Sequence, residues 1–107
     1  MRALRRSLGL TQGDIAHLLG LAMHSQVSRF ENHVREPDIR TAFAYEYVLE
    51  APASTLFAPI LSEVQRFVSK RARERLATLG HVSRDAHATR LGHLARIAEP
   101  QPTLFNL

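Results

Sequence analysis

The side chains best suited to hydrogen-bonding chemistry lie close together in residues 25–30. Val27 and Phe30 recur there at a spacing of three, which predicts a short helix with one apolar face. Serine, glutamine and arginine are groups that hydrogen-bond to the edges of DNA bases, and arginine with guanine is the commonest specific contact. A polar outer face is also typical of any amphipathic helix, so contact with DNA bases is at this point a hypothesis. The polar members of the segment are Ser25, Gln26, Ser28 and Arg29.

A second short helix is predicted just before this segment. Thr11 is a good N-cap, and Asp14 follows three residues later, as in a capping box. Gly20 ends the helix, because glycine readily takes the left-handed conformation common at helix ends. The apolar residues between them follow helical spacing: Ile15, Ala16, Leu18 and Leu19.

The sequence of the turn between these helices does not fix the first residue of the helix around Val27. Met23, His24 and Ser25 are all candidates for its N-cap, and Ser25 is the best capper by residue type. If Ser25 caps the helix, its hydroxyl is occupied. Gln26 is then the better candidate for a contact with a base.

As a set, these residues resemble a helix-turn-helix domain of the Cro/C1 type, the phage-repressor-like or XRE family. The resemblance covers residues 4–57 and implies an all-α, five-helix domain over residues 1–57. The apolar pattern of residues 58–107 predicts a C-terminal helical extension. Helix 1 is expected from near Met1 to Leu8, helix 2 after Thr11, and helix 3 around Val27. The residues that carry the resemblance are Leu10, Thr11, Gln12, Ile15, Ala16, Leu19, Gly20, Val27, Ser28, Arg29, Glu31, Asn32, Arg35, Glu36 and Pro37.

The resemblance also implies helices 4 and 5. Asp38 is expected to cap helix 4, and Ser54 to cap a short helix 5 that ends at Phe57. Glu46 stands where the family has a small apolar residue, and we expect it to stay solvated at the edge of the core. The expected buried side of helix 4 is Ile39, Ala42, Phe43 and Leu49.

Carried over residue by residue, the resemblance predicts a surface that binds double-stranded DNA. Gln12 is expected to bond a backbone phosphate at the positive end of helix 2. Asn32 and Arg35 are expected to contact the DNA backbone after helix 3. The positions where the family places base or phosphate contacts are His24, Ser25, Ser28 and Arg29. Gln26 is the alternative candidate for a base contact if Ser25 caps the helix.

Composition excludes several other functions. There is no cysteine, and no apolar run of 18 residues that predicts a membrane span. No signal peptide is recognised, so a cytoplasmic location is expected. The six histidines lack the spacing of a metal site, and no catalytic or cofactor-binding motif is present, so the chain is not expected to be an enzyme.

Charge is distributed unevenly along the chain. Residues 1–50 hold six arginines and six carboxylates, so the net charge of +4 lies entirely after residue 50. Attraction to DNA grows with the number of phosphates neutralised. We therefore expect Arg5, Arg29 and Arg35 to lie together on the DNA-facing side of the first half, with the acids turned away.

Residues 58–107 are predicted to form two helices. Pro59 opens a long helix with Gly80 as its stop, and Ser83 or Asp85 starts another that ends before Pro100. The inward side of the second helix is expected to be Leu91, Leu94, Ala95 and Ile97. The apolar stripe of the first helix predicts a dimerisation surface formed by Leu61, Val64, Phe67, Val68 and Leu76.

Alternatives stay open for this half and for the function. The stripe is also consistent with an intrachain cap on the first domain. The basic face of the long helix has three possible interpretations: a solvated surface, a contact with DNA phosphates, or a binding site for an acidic partner. The leading prediction is a bacterial or phage regulator that binds a palindromic operator as a homodimeric repressor. The alternatives are an antitoxin with a toxin protein as its partner, or an interaction module that does not bind DNA.

Overall fold

The computed structural model describes residues 1–79 and 85–99, without the side chains of 85–87. The all-α prediction is confirmed, because this part of the chain contains helices and no strand. The chain divides into two compact units, residues 1–58 and 59–107. The helices are α1 (Arg2–Ser7), α2 (Gln12–Leu19), α3 (His24–Glu31), α4 (Ile39–Leu49), α5 (Ala53–Leu56), α6 (Ala58–Leu79) and α7 (Asp85–Ala98).

The ends of α2 are set by local chemistry, as predicted. The backbone N–H of Thr11 donates to Asp14 Oδ2 over 2.9 Å, and the N–H of Asp14 donates to Thr11 Oγ1 over 3.0 Å. Gly20 ends the helix with φ +70°, and Gly9 follows α1 with φ +74°. Both glycines take the left-handed conformation that other residues adopt only at a cost.

Of the three candidates for the N-cap of α3, the structure has Met23 and not Ser25, the best capper by residue type. The helix begins at His24, so Met23 is its N-cap and Ser25 lies within the first turn. The side chain of Gln26 accepts the backbone N–H of Met23 over 3.3 Å, which satisfies an amide at the helix start. A reciprocal bond from the third helical residue therefore replaces the expected serine cap.

The core of the first unit is built around aromatic rings. The most deeply buried side chains are Ile15, Val27, Tyr45 and Leu49. The Tyr45 ring packs edge-to-face against Phe30 and Phe57, at centroid distances of 5.9 Å and 5.6 Å. Such T-shaped pairs stabilise a core beyond the area they bury.

The predicted buried side of α4 is correct only in part, with Ala42 half-buried. Leu49 is buried as expected, but Ile39 and Phe43 are exposed. Tyr45 and Leu49 are four residues apart and share the face that meets the core. Ile39 and Phe43 are also four residues apart but lie on the opposite side of the helix. Apolar residues follow both sides of α4, so spacing alone does not select between them.

The start of α5 also differs from the prediction. Asp38 caps α4 as expected, accepting the Thr41 N–H over 2.8 Å. At α5, Ser54 lies inside the helix and Pro52 holds the N-cap position. The first helical N–H, that of Ala53, donates to Glu46 Oε1 over 2.9 Å. Glu46 is exposed, as expected, and it also caps a helix.

The second unit contains α7 and nearly all of α6. Among the described residues of this unit, the buried ones are small, namely Ser69, Ala72 and Ala98. Arg73 on α6 donates to the carbonyl of Ala98 at the end of α7 over 2.8 Å. Ala95 is exposed, contrary to expectation, and Ala98 is buried instead. The predictions for Gly80, Ser83 and Pro100 fall outside the described residues.

No helix in the described part of the chain has the length and apolarity needed to cross a membrane.

Candidate nucleic-acid interface

The exposed surface of α3 carries Arg29 and His24. The same helix buries Val27 and Phe30, so its apolar face is held in the core and its polar face points outward. The side chain of Arg29 has no hydrogen bond or ion pair to any residue within 1–79 and 85–99. Its guanidinium therefore has all its donors available for a ligand.

Ser25 and Gln26 have exchanged the roles that the sequence predicted for them. Gln26 is half-buried, and its side-chain oxygen accepts the Met23 N–H. Ser25 is also half-buried, but its hydroxyl does not cap the helix. Ser25 is therefore the more available of the two for a base contact.

Glu31, at the end of α3, is the centre of a hydrogen-bond network. Its side chain is only 1% exposed. Arg5 on α1 donates to this carboxylate from Nε over 2.8 Å and from Nη2 over 3.3 Å. Arg5 also donates from Nη1 to the carbonyl of Leu10 over 2.9 Å. This two-bond pairing of arginine with carboxylate is the strong form of ion pair.

The network determines where Gln12 points. Gln12 Nε2 donates to Glu31 Oε1 over 2.9 Å, and its side chain is half-buried. The first residue of α2 is thereby tied to the last residue of α3. One donor of the amide is used within the protein, and the second N–H has no partner among the described residues.

Asn32 and Ser28 form the outer edge of the same network. Arg2 Nη2 donates to Asn32 Oδ1 over 2.8 Å, and Asn32 Nδ2 donates to Ser28 Oγ over 3.3 Å. The Arg2 guanidinium also lies 3.7 Å from Glu31. Sequence reasoning missed Arg2, because no spacing pattern connects residues thirty positions apart. Arg35 is exposed beyond the end of α3.

Electrostatics keeps the centre of the network ionised. Burial by itself raises the pKa of Glu31, but hydrogen bonds from Arg5 and Gln12 and the charges of Arg5 and Arg2 outweigh it. The pKa of Glu31 is therefore held below its ordinary value of 4.5. The hydrogen bond to Glu31 raises the pKa of Arg5, so this pair stays charged at neutral pH.

Burial of Arg5 corrects one expectation about the charged surface. Arg5 was expected beside Arg29 and Arg35 on the DNA-facing side, but it is buried and paired with Glu31. Its charge is neutralised inside the domain. Arg29 and Arg35 remain exposed, and Arg2, which is partly exposed, is the cation that the sequence analysis did not include.

Five of the eight predicted contact residues fall into two groups in the structure. Gln12, Ser28 and Asn32 are joined by the network around Glu31. His24 and Arg29 lie on the exposed side of α3. Across residues 1–79 and 85–99, no group of three histidines or carboxylates is placed to hold a metal ion.

A comparison with protein families agrees with this geometry. The helix-turn-helix family model matches residues 1–54, half of the 107-residue chain, and this region includes α1–α4. The comparisons with curated proteins and with solved structures gave no match. On the strength of the matched region, the chain belongs to the Cro/C1-type helix-turn-helix family of DNA-binding regulators, the XRE family.

Proposed function

We propose that this protein is a sequence-specific transcriptional regulator that represses by occupying a palindromic operator as a homodimer. The observation that carries the proposal is Arg29, which is exposed on α3 and has no partner among the described residues. Val27 and Phe30 on the same helix are buried in the core. A rigid helix that presents one uncommitted guanidinium is the arrangement that direct readout of guanine needs.

In this proposal α3 enters the major groove and Arg29 donates two hydrogen bonds to a guanine. His24 and Ser25, in the first turn of α3, are the next candidates for base or phosphate contacts. Gln26 is a weaker candidate, because its oxygen already accepts the Met23 N–H. These assignments place the proposed contacts at both ends of α3, with His24 and Ser25 in its first turn and Arg29 in its last turn.

Phosphate contacts are assigned to the residues around α3. Gln12 keeps one free N–H at the start of α2, where the helix dipole also favours an anion. Asn32 and Arg35 follow α3 and complete the set, with Ser28 held by Asn32. Contacts of this type fix the register of the protein on DNA without reading its sequence.

The homodimer is assigned to the second unit. Val64, Phe67 and Val68 are between 42% and 63% exposed on α6. Exposed apolar surface of this kind marks interaction sites, and a second copy of the chain is the partner that operator symmetry requires. Leu61 and Leu76 are half-buried and contribute at the edge.

The direct test replaces Arg29 and measures specificity. An operator is first selected from a pool of random duplexes with the full chain. Arg29→Ala should then lose roughly 1–3 kcal/mol on the selected duplex and accept other bases at one position, because one bidentate base contact has that value. Arg40→Ala, which removes another exposed arginine outside α3, is the control and should retain the base preference.

The outcome against the proposal is equally clear. If Arg29→Ala binds the selected duplex and mixed-sequence duplexes with wild-type affinities, Arg29 does not read a base. Failure of the wild-type protein to enrich any sequence would remove the proposed function altogether.

A further inference from the structure

The strongest feature not yet assigned is a line of three cations on α6. Arg66, Lys70 and Arg73, here termed the basic strip, are all exposed. They follow one another at spacings of four and three residues, so they lie on one side of the helix. At 1.5 Å of rise per residue the strip covers about 10 Å of the helix axis.

Two of these cations are uncommitted. The side chains of Arg66 and Lys70 form no ion pair or hydrogen bond with any residue that the structure describes. Arg73 donates to the carbonyl of Ala98 from one terminal nitrogen. By contrast, Arg71 lies 4.0 Å from Glu74 and stacks on the Phe67 ring at 5.7 Å. The strip therefore differs from Arg71 in having two unpaired side chains, and from Arg75, which is also exposed, in its position around the helix.

We propose that the basic strip binds the phosphate backbone of duplex DNA, independently of sequence. Duplex DNA carries one negative charge per ~1.7 Å of axis, so a strip of this length faces several phosphates. The inference rests on the proposed function, because DNA held by α3 is present at high effective concentration for α6 of the same chain. For this reason we assign DNA, and not an acidic protein, as the ligand of the basic strip.

The distribution of charge gives the strip a physical role. Residues 1–50 have no net charge, and the charge of Arg5 is paired with that of Glu31 within the domain. The recognition unit therefore supplies little of the general attraction that draws a protein to DNA. The net charge of +4 lies in the second half of the chain, and the basic strip provides three of the cations in that half. General affinity and base reading are thus assigned to different helices.

The test measures the salt dependence of binding with the full chain. The probe is a 30-base-pair duplex of mixed sequence, titrated at several NaCl concentrations. The double variant Arg66→Gln/Lys70→Gln should reduce the slope of log affinity against log salt by roughly 2 per bound protomer, since each lost phosphate contact removes about 0.9. The matched control is Arg75→Gln/Arg90→Gln, which removes the same charge from exposed arginines outside the strip and should change the slope by less than about 0.5.

Each outcome decides the matter. Equal losses of slope in both double variants would overturn the proposal, because the effect would then be one of net charge. An unchanged slope in Arg66→Gln/Lys70→Gln would also overturn it and would favour solvent or an acidic protein as the partner. Circular dichroism establishes that both variants are folded.

The same titrations separate this proposal from the proposed function. On the selected duplex, the strip variant should keep the wild-type ratio of specific to mixed-sequence affinity, whereas Arg29→Ala should lose that ratio and keep the salt slope. A wild-type protein with no sequence preference would contradict the proposed function and leave the slope measurement valid for α6.

Discussion

A single carboxylate, Glu31, joins three helices of the first unit. It accepts hydrogen bonds from Arg5 on α1 and from Gln12 on α2, and it is itself the last residue of α3. A buried charge is costly unless it is paired and hydrogen-bonded, and here both conditions are met. The position of α3, and with it that of Arg29, therefore depends on this ion pair as well as on the burial of Val27 and Phe30.

Replacing Glu31 tests this dependence. Glu31→Gln leaves the Arg5 guanidinium buried without its counter-charge, and breaking such a pair costs about 3–5 kcal/mol. We expect a loss of roughly 3 kcal/mol in the free energy of unfolding, measured by urea denaturation at pH 7. Glu36→Gln, at an exposed carboxylate, should leave the midpoint unchanged. A variant as stable as the wild type would show that the pair does not hold the helices together.

The same pair predicts a dependence on pH. The folded-state pKa of Glu31 lies below its ordinary value of 4.5, so its contribution to stability is complete above pH 4.5 and is lost as pH falls through the folded-state pKa. Asp14 and Asp38 also have lowered pKa values, mainly from backbone hydrogen bonds with Thr11 and Thr41, and titrate in the same acid range. The stability of the wild type should therefore fall more steeply below pH 4.5 than that of Glu31→Gln. Parallel curves would contradict the assignment.

Tyr45 carries an uncompensated polar group in the core. Its side chain is 1% exposed, and its hydroxyl has no hydrogen-bond partner among the described residues. A buried unpaired hydroxyl costs about 1–3 kcal/mol, part of which its removal recovers. Tyr45→Phe should therefore raise the free energy of unfolding by about 1 kcal/mol. Tyr47→Phe, at a side chain that is 88% exposed, should have no effect. Destabilisation by Tyr45→Phe would reveal a hydrogen bond to its hydroxyl.

At the scale of the element, α5 depends on a side chain from α4. This four-residue helix has proline at its N-cap position and no cap of its own, so Glu46 accepts the Ala53 N–H. Glu46→Ala should cost about 1 kcal/mol of stability, the usual value of a helix cap. Glu46→Gln retains an acceptor oxygen and should recover most of that loss. Equal effects of the two changes in thermal unfolding would show that charge, and not capping, is responsible.

At the scale of the whole molecule, the proposed dimer depends on the second unit. The full chain is expected to be a dimer at micromolar concentration, and a chain that ends at Ala58 is expected to be monomeric. Phe67 is 63% exposed, so Phe67→Asp should separate the protomers by placing a charge in the interface. Tyr47→Asp, at an exposed aromatic residue of the first unit, is the control and should stay dimeric.

Sedimentation equilibrium on these four chains distinguishes a dimer from an intrachain cap. The monomeric forms should also lose most of their affinity for the selected operator, because two linked heads gain from effective concentration. A monomeric full-length chain that binds the operator tightly would contradict the dimer and leave α6 as a cap.

The sequence by itself determined the features that depend on near neighbours. The capping box of Thr11 and Asp14, the end of α2 at Gly20 and the cap at Asp38 each involve residues at most four positions apart. The helical fold and its family follow from the same short-range signals.

Only the tertiary structure decided the features that depend on where helices meet. Arg5 and Glu31 are 26 positions apart, and nothing local indicates that they pair and remove Arg5 from the surface. Apolar residues on both sides of α4 left its buried face undetermined until the core selected Tyr45 over Phe43. Capping and periodicity are properties of a single helix, whereas burial and pairing are properties of the contact between helices.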